Sequence, residues 1–188
     1  HTILQGDWSS DVCSSDLPGV PTDMSTTMGP LISKTAQDRV LTYIASAVEE
    51  GASLVLGGKV PLGNPAIEGG FFVEPTIFAN VQPHMRIAKE EIFGPVLSIF
   101  KWRDEDELIR QVNATPYGLT ASIYTKSLAT AHRTVPKIDA GFIWVNQVGR
   151  HFLGVPFGGF KESGIGKEEC LDELLSFTQT KSVNLSLM

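Results

Sequence analysis

The sequence predicts an α/β fold with a parallel β-α-β-α-β core. Short apolar strands alternate with helical segments, and the connections between them are short. Such alternation implies a parallel sheet with right-handed crossovers. With 188 residues, 42% of them apolar, the chain is long enough for one domain with its own core. The predicted strands are 96–100, 119–125 and 141–145, and the helices between them are 104–113 and 128–135.

The elements before this core follow from hydrophobic spacing and from turn residues. Ser33 is a suitable N-cap for a helix at 34–50, where apolar residues recur with helical spacing. A short strand at 53–56 follows, and residues 71–79 read as extended. Because Pro75 withholds a backbone N–H, we expect an edge strand or a bent pair of strands there, not a central strand.

Caps mark the helices of the core. Asp104 and Glu107 have the spacing of a capping box, and the acidic run that they begin favours the positive end of the helix dipole. Ser127 is the expected N-cap of the second helix, and Pro136 is expected to end it.

The C-terminal end reads as a short helix at 167–175 followed by a strand. Val183, Leu185 and Leu187 alternate with polar residues, which predicts a half-buried C-terminal strand. Such a strand needs a sheet to join, either in its own chain or in a neighbouring subunit.

Residues 1–17 do not read as part of the domain. Their serine-rich, polar sequence has no hydrophobic period and resembles the translation of a sequencing adapter; a natural disordered leader is the alternative. We therefore expect a non-native leader at 1–17 and a domain at 18–188, with the true chain cut on its N-terminal side. Cys13 is then not a catalytic thiol.

Composition excludes several partners. A net charge of −6 without a basic stripe argues against nucleic acid. No apolar run approaches the ~18 residues needed to cross a bilayer. Two cysteines give neither a disulfide framework nor a metal set, and His84 and His151 lack ligand partners at the right spacing, so we expect no metal and a reducing, cytoplasmic location.

One acidic turn carries a candidate for chemistry. Glu91 can accept two hydrogen bonds from a vicinal diol such as that of a ribose, and Phe93 can pack on a flat heterocycle; the alternative is an acidic helix end before a core strand. The turn at 101–103 lacks the glycines of a dinucleotide fingerprint. The glycine-rich stretch 156–166 fits neither that fingerprint nor a P-loop.

Five motifs together resemble the C-terminal part of the NAD(P)-dependent aldehyde dehydrogenases. They occur in the order and at the spacing of that family, and the resemblance covers essentially all of residues 18–188. The motifs are Met28-Gly29-Pro30-Leu31-Ile32-Ser33, Glu90-Glu91-Ile92-Phe93-Gly94-Pro95-Val96, Pro116-Tyr117-Gly118-Leu119, Gly141-Phe142-Ile143-Trp144-Val145-Asn146, and the stretch from Pro156 to Gly166.

The resemblance implies an aldehyde-dehydrogenase-like catalytic domain that takes part in oxidising an aldehyde to a carboxylic acid with NAD or NADP. In that family a cysteine forms a thiohemiacetal with the aldehyde, hydride passes to the nicotinamide, and a glutamate activates water. Both residues precede this region, so no catalytic residue is expected in the chain and the fragment alone should be inactive. The tail at about 176–188 is expected to assemble a homo-oligomer, dimer or tetramer.

The resemblance also assigns site residues. Glu91 is expected to hydrogen-bond the nicotinamide ribose, and Phe93 to pack beside the nicotinamide. Phe157 is expected on the wall of the aldehyde tunnel, with Arg150 and His151 at its mouth. Arg150 either recognises a carboxylate on the substrate or is a rim arginine exposed to water.

Two other functions stay open. The chain can be a truncated, non-catalytic binding or assembly module that uses its last strand for docking. It can also be an independent thiol enzyme using Cys170 with His151. Because Glu169 and Asp172 flank Cys170 and disfavour a thiolate, a packed structural cysteine is the preferred interpretation.

Overall fold

The computed structural model describes residues 2–4, for the backbone, and residues 18–187. The prediction that 1–17 is a non-native leader therefore falls largely outside the described residues, as does Cys13. The described chain forms two compact units, His1–Arg103 and Asp104–Met188.

In the described part of the first unit there are a four-stranded mixed sheet and two helices. In the sheet, β4 lies between β1 and β3 and is parallel to both, whereas β2 pairs antiparallel with β3. Its elements are β1 (Thr2–Leu4), α1 (Lys34–Glu49), β2 (Ser53–Leu56), β3 (Thr76–Ala79), α2 (Arg86–Lys89) and β4 (Val96–Phe100).

Helix α1 forms where the sequence predicts it. Ser33 is extended, and its hydroxyl accepts a hydrogen bond from the Ala36 amide at 3.2 Å, which satisfies one of the free N–H groups of the first turn. The buried face of α1 packs on the sheet through Val40 and Ile44. The side-chain amide of Gln37 donates from Nε2 to the Phe72 carbonyl at 2.7 Å. This face anchors the core of the first unit.

The expectation of an edge or bent strand at 71–79 is wrong. Only Thr76–Ala79 is a strand, and it lies inside the sheet between β2 and β4, with Ile77 and Phe78 buried. Pro75 precedes the first residue of the strand, so its missing N–H removes no hydrogen bond from the ladder. The Thr76 amide makes the first bond, to the Pro95 carbonyl at 2.8 Å.

The second unit is built on a parallel strand pair and a short antiparallel pair. Strand β6 pairs in parallel with β7, with α4 between them in the chain, and β5 pairs antiparallel with β8. Its elements are α3 (Glu105–Asn113), β5 (Tyr117–Gly118), β6 (Thr120–Ile123), α4 (Leu128–Thr134), a 3-10 turn (Val135–Lys137), β7 (Phe142–Val145), β8 (Phe160–Lys161) and α5 (Leu171–Ser176).

The predicted α/β class with parallel strands is confirmed, and the strands and helices of the β-α-β-α-β series follow in the predicted order. The pairing is distributed over two sheets: β4 pairs with β1 and β3, and β6 pairs with β7. Hydrophobic patterning identifies a strand but not its neighbour, because the neighbour is set by tertiary packing.

The caps of the second unit are also confirmed. The Asp104 carboxylate accepts from the Glu107 amide at 2.8 Å, and the Ser127 hydroxyl accepts from the Thr130 amide at 3.2 Å. The chain leaves the α-helical conformation at the turn that contains Pro136.

The last helix begins later than the sequence suggests. Helix α5 starts at Leu171, not at residue 167, because Glu168 exchanges two backbone hydrogen bonds with Phe157, at 3.0 and 2.7 Å. The next residue, Glu169, has a left-handed backbone with φ of 61°. Cys170 therefore lies at the N-cap and not within the helix.

The predicted C-terminal strand does not form within this chain. Residues 178–187 contain no strand, and Val183, Leu185 and Leu187 are all exposed. A strand exists only when its N–H and C=O groups pair with a neighbour, and this tail pairs with none of the described strands.

Candidate cofactor and substrate sites

The loop that carries Glu91 and Phe93 joins α2 to β4 in the first unit. Ile92 is buried in the core, whereas Glu91 and Phe93 on either side of it are exposed, Phe93 to 73%. Phe93 adopts a left-handed backbone with φ of 53°, which costs a non-glycine residue of order 1 kcal/mol. The buried neighbour thus turns both candidate side chains towards solvent.

Gly94 allows this loop to lie against helix α1. A Cβ atom on Gly94 would lie 2.5 Å from the Cγ2 atom of Val40, and Val40 is fully buried. A side chain is excluded here by close packing, so the glycine in this motif serves backbone approach.

The two adjacent carboxylates, Glu90 and Glu91, differ in their surroundings. Glu90 accepts hydrogen bonds from the Arg86 guanidinium and from the Tyr43 hydroxyl, and these lower the pKa of its carboxyl to about 2. The carboxylate of Glu91 is exposed and makes no hydrogen bond or ion pair with the described part of the chain. Only Glu91 is therefore free to accept donors from a ligand.

An aromatic cluster forms the centre of the candidate substrate site in the second unit. The Phe157 ring lies 4.4 Å from the His151 imidazole and 5.4 Å from the Phe142 ring, between centroids. Trp144 packs on Phe142 at 4.9 Å and on His151 at 5.8 Å. The structure thus brings the predicted residues Phe157 and His151 together, beside two aromatic residues of β7.

Two hydrogen bonds hold the loop that contains Arg150 and His151. The Trp144 indole N–H donates to the Arg150 carbonyl at 2.7 Å. The Nδ1 atom of His151 lies 2.9 Å from Oε1 of Glu169. The loop is therefore tied to β7 on one side and to the chain entering α5 on the other.

Glu169 forms its hydrogen bond with His151 from a strained backbone conformation. Its left-handed backbone carries the side chain to His151, and its second carboxylate oxygen, Oε2, is buried without a hydrogen-bond partner among the described residues. A buried acceptor without a partner is unfavourable, so the pairing through Oε1 has to compensate for it.

Arg150 is exposed, and its guanidinium lies over the Phe152 ring, 5.2 Å from the centroid. It forms no ion pair with the described acidic residues. Its charge is consequently available to solvent or to a ligand, and both roles predicted for it stay open.

Cys170 does not meet His151. The thiol is half-buried and points to the Lys167 carbonyl, with Sγ 4.0 Å from that oxygen, while His151 is bonded to Glu169. The described contacts thus give Cys170 no base, which agrees with a packed cysteine and not with a nucleophile.

Sequence reasoning missed Tyr43, Arg86 and Glu169. Arg86 and Glu90 stand four residues apart, a spacing that could have revealed their ion pair. Nothing local could have revealed Tyr43, which lies on another helix, or the bond between His151 and Glu169, which depends on how two loops meet.

This fold is that of a dehydrogenase family. The model of the aldehyde dehydrogenase family matches residues 15–183, and the chain belongs to that family. No helix in the described residues is long and apolar enough to cross a bilayer.

Known proteins of this family are similar along most of the chain. The aldehyde dehydrogenase tropH of Talaromyces stipitatus is 63% identical over 172 residues, covering 90% of this chain and 33% of that protein. A betaine aldehyde dehydrogenase of Mesorhizobium japonicum is 47% identical over 88% of this chain and 34% of its own. The chain thus spans about a third of the length of these curated relatives.

Solved structures agree with the fold. An aldehyde dehydrogenase of Bacillus cereus in complex with NAD+ has a TM-score of 0.85 and 38% identity, over 95% of this chain and 35% of its own. The Mycobacterium tuberculosis aldehyde dehydrogenase complexed with NAD+ has a TM-score of 0.85 and 40% identity, over 95% of this chain and 36% of its own.

Proposed function

We propose that this chain is part of a longer NAD(P)-dependent aldehyde dehydrogenase. The whole enzyme oxidises an aldehyde to a carboxylic acid through a cysteine thiohemiacetal, and both the nucleophilic cysteine and the general base lie outside this chain. Family membership and the NAD+ complexes of similar structures support the reaction class. The cofactor, NAD or NADP, accepts the hydride.

The observation that carries the proposal is the free, exposed carboxylate of Glu91 beside the exposed ring of Phe93. Glu91 accepts hydrogen bonds from the two hydroxyl groups of the nicotinamide ribose, and Phe93 packs beside the nicotinamide. A charged acceptor makes stronger hydrogen bonds than a neutral one, so Glu91 fixes the reactive end of the cofactor. Correct alignment of the reacting atoms contributes strongly to the rate.

The substrate side is assigned to the second unit. Phe157 and His151 form an aromatic wall for the aldehyde tunnel, and Arg150 lies at its mouth. The close packing of the Phe157 and His151 rings supports a rigid wall. The exposed guanidinium of Arg150 can meet an anionic group on a substrate, or can stay in water when the substrate lacks one.

The tail is assigned to assembly. We infer that residues 176–188 pair with a second copy of the enzyme in a homo-oligomer, because the alternating apolar side chains of the tail are exposed in the single chain. The same observation supports the alternative that the isolated fragment acts only as an assembly module. We also propose a cytoplasmic location, since two cysteines without a disulfide framework are typical of a reducing compartment.

The experiment is Glu91→Gln in the full-length enzyme that contains this chain. Hydride transfer, followed as NAD(P)H formation in a stopped-flow instrument, should slow by roughly tenfold or more, since a charged hydrogen bond contributes about 1.5–3 kcal/mol. Glu68→Gln is the matched control, because Glu68 is also an exposed carboxylate without a partner among the described residues. Unchanged hydride transfer in Glu91→Gln would contradict the proposed role.

A further inference from the structure

A three-residue network joins helix α1 to the residue directly before Glu91. The Tyr43 hydroxyl donates to Oε2 of Glu90 at 2.7 Å. Arg86 donates from Nε to Oε1 of Glu90 at 3.1 Å and from Nη2 to Oε2 at 3.0 Å. The same guanidinium lies over the Tyr43 ring, 4.8 Å from its centroid. The three side chains thus support one another in a single arrangement.

Arg86 is itself fixed to the end of α1. Its backbone N–H donates to Oε2 of Glu50, the C-cap residue of α1, at 2.8 Å. An arginine that forms two parallel hydrogen bonds to a carboxylate restricts the direction of that carboxylate as well as its distance. The network therefore fixes the direction of the Glu90 side chain. Because Glu90 is the C-cap residue of α2, the network also restricts the backbone that follows the helix.

Helix α1 supports both ends of the loop that presents Glu91. Tyr43 holds Glu90 at the start of the loop, and Val40, one helical turn earlier on α1, packs against Gly94 at its end. Between them Ile92 is buried in the core. Glu91 and Phe93 are consequently exposed single residues whose neighbours, Glu90, Ile92 and Gly94, are held by contacts with the rest of the first unit.

The network also separates two adjacent carboxylates that would otherwise compete. Both oxygens of Glu90 are occupied by Arg86 and Tyr43, and the Arg86 charge compensates the negative charge of Glu90. Of the two consecutive glutamates, only Glu91 keeps its oxygens free for a ligand. A diol that approaches this loop therefore meets one acceptor in one position.

We propose that Tyr43, Arg86 and Glu90 are positioning residues for the nicotinamide end of the cofactor. They touch no reacting atom; they act by holding the backbone of Glu91 and Phe93 and by removing Glu90 from competition. This inference rests on the proposed function, because it requires that Glu91 binds the nicotinamide ribose.

The test uses Tyr43→Phe in the full-length enzyme. This change keeps the ring under the guanidinium and removes only the hydroxyl. Hydride transfer should slow several-fold to about tenfold, since small displacements of reacting groups reduce rates strongly. The KM for the aldehyde should stay unchanged, and the fluorescence maximum and lifetime of bound NADH should shift towards those of free NADH.

Two comparisons make the test specific. Asp38→Asn removes the exposed ion pair with Lys34 on the same helix and should leave both the rate and the NADH emission unchanged. In the Glu91→Gln background, Tyr43→Phe should have little further effect, because both changes disturb the same contact. Melting temperatures of all variants identify any loss of folding.

The outcomes separate this inference from the proposed function. Impaired Glu91→Gln with normal hydride transfer and normal NADH emission in Tyr43→Phe overturns the positioning role alone. An equal loss from Tyr43→Phe with and without Glu91→Gln also overturns it, since the effect would not pass through Glu91. Normal hydride transfer in Glu91→Gln overturns both.

Discussion

The hydroxyl of Tyr43 lies 2.7 Å from Oε2 of Glu90, although the two residues are 47 positions apart in the sequence. This contact makes helix α1 the support of the loop that carries Glu91. We therefore expect the chemistry proposed for the loop to depend on this helix as well as on the loop itself.

The close approach of Gly94 to Val40 predicts a packing defect. Gly94→Ala places a Cβ atom 2.5 Å from Cγ2 of Val40 and should lower the free energy of unfolding by about 1–3 kcal/mol, as other overpacked core positions do. Urea unfolding of this chain measures the change. Combining it with Val40→Ala should make the total loss smaller than the sum of the two single losses.

Gly29→Ala is the control for this packing prediction. A Cβ atom on Gly29 would meet only the Cγ atom of Pro21 at 3.6 Å, an ordinary contact. If the losses in free energy of unfolding from Gly94→Ala and Val40→Ala are strictly additive, the two residues do not interact sterically.

The low pKa of Glu90 predicts a dependence of stability on pH. The Arg86 and Tyr43 hydrogen bonds lower the pKa of the Glu90 carboxyl from 4.5 to about 2 in the folded chain. A depressed pKa adds stability above the unfolded value, and this contribution is lost as the pH falls towards the folded value. The stability difference between the wild type and Glu90→Gln should be constant above about pH 5 and should shrink between about pH 4.5 and pH 2.

Comparing the two proteins at each pH cancels the titration of the other carboxyl groups, because these are the same in both. Urea unfolding over this range provides the measurement. A difference that stays constant down to about pH 2 would contradict the ion pair.

The bond between His151 and Glu169 predicts a coupled pair. His151→Phe keeps an aromatic ring against Phe157 but removes the hydrogen-bond partner of Oε1 of Glu169, so that neither carboxylate oxygen is paired; this should cost about 1 kcal/mol because Glu169 is part-buried. Adding Glu169→Leu should recover much of this loss, since the unpaired carboxylate is then removed. Thermal unfolding checks both variants.

His132→Phe is the matched control for this pair. His132 is an exposed histidine on α4, and its replacement should change the melting temperature little. If His151→Phe is as harmless as His132→Phe, the bond to Glu169 contributes nothing to stability.

The fragment itself should be inactive. A chain of residues 18–188 should produce no NAD(P)H from an aldehyde, because the proposed nucleophile and base lie outside it. Absorbance at the nicotinamide band with the full-length enzyme as positive control provides the measurement. Aldehyde-dependent reduction of the cofactor by the fragment would refute this division of the site.

The sequence predicted correctly those features that depend on residues close to one another in the chain. Ser33, Asp104 and Ser127 cap helices because each side chain bonds an amide only three residues away. The strand at 96–100 and the turn before it follow from apolar patterning and from Gly94 and Pro95. The α/β class and the aldehyde dehydrogenase family were also predicted correctly, because the alternation of strands and helices and the family motifs are read from contiguous stretches of sequence.

The predictions that failed concerned partners distant in the sequence. Pro75 suggested an edge strand, yet β3 is central because the proline falls one residue before the ladder. The alternation of Val183 and Leu185 predicted a strand that joins its own sheet or that of a neighbouring subunit; the tail pairs with no described strand of its own chain, and pairing with a second copy stays a prediction. Glu168 was assigned to a helix, whereas its bonds to Phe157 hold it outside α5.

The sequence by itself thus determined the family, the order of the elements and the candidate pair Glu91 and Phe93. Only the tertiary structure decided how the two neighbouring glutamates differ physically, by placing Tyr43 against Glu90 and leaving Glu91 without a partner among the described residues. The physical reason is that a carboxylate's availability depends on which donors reach it, and one of the donors to Glu90, Tyr43, comes from a helix 47 positions away in the sequence.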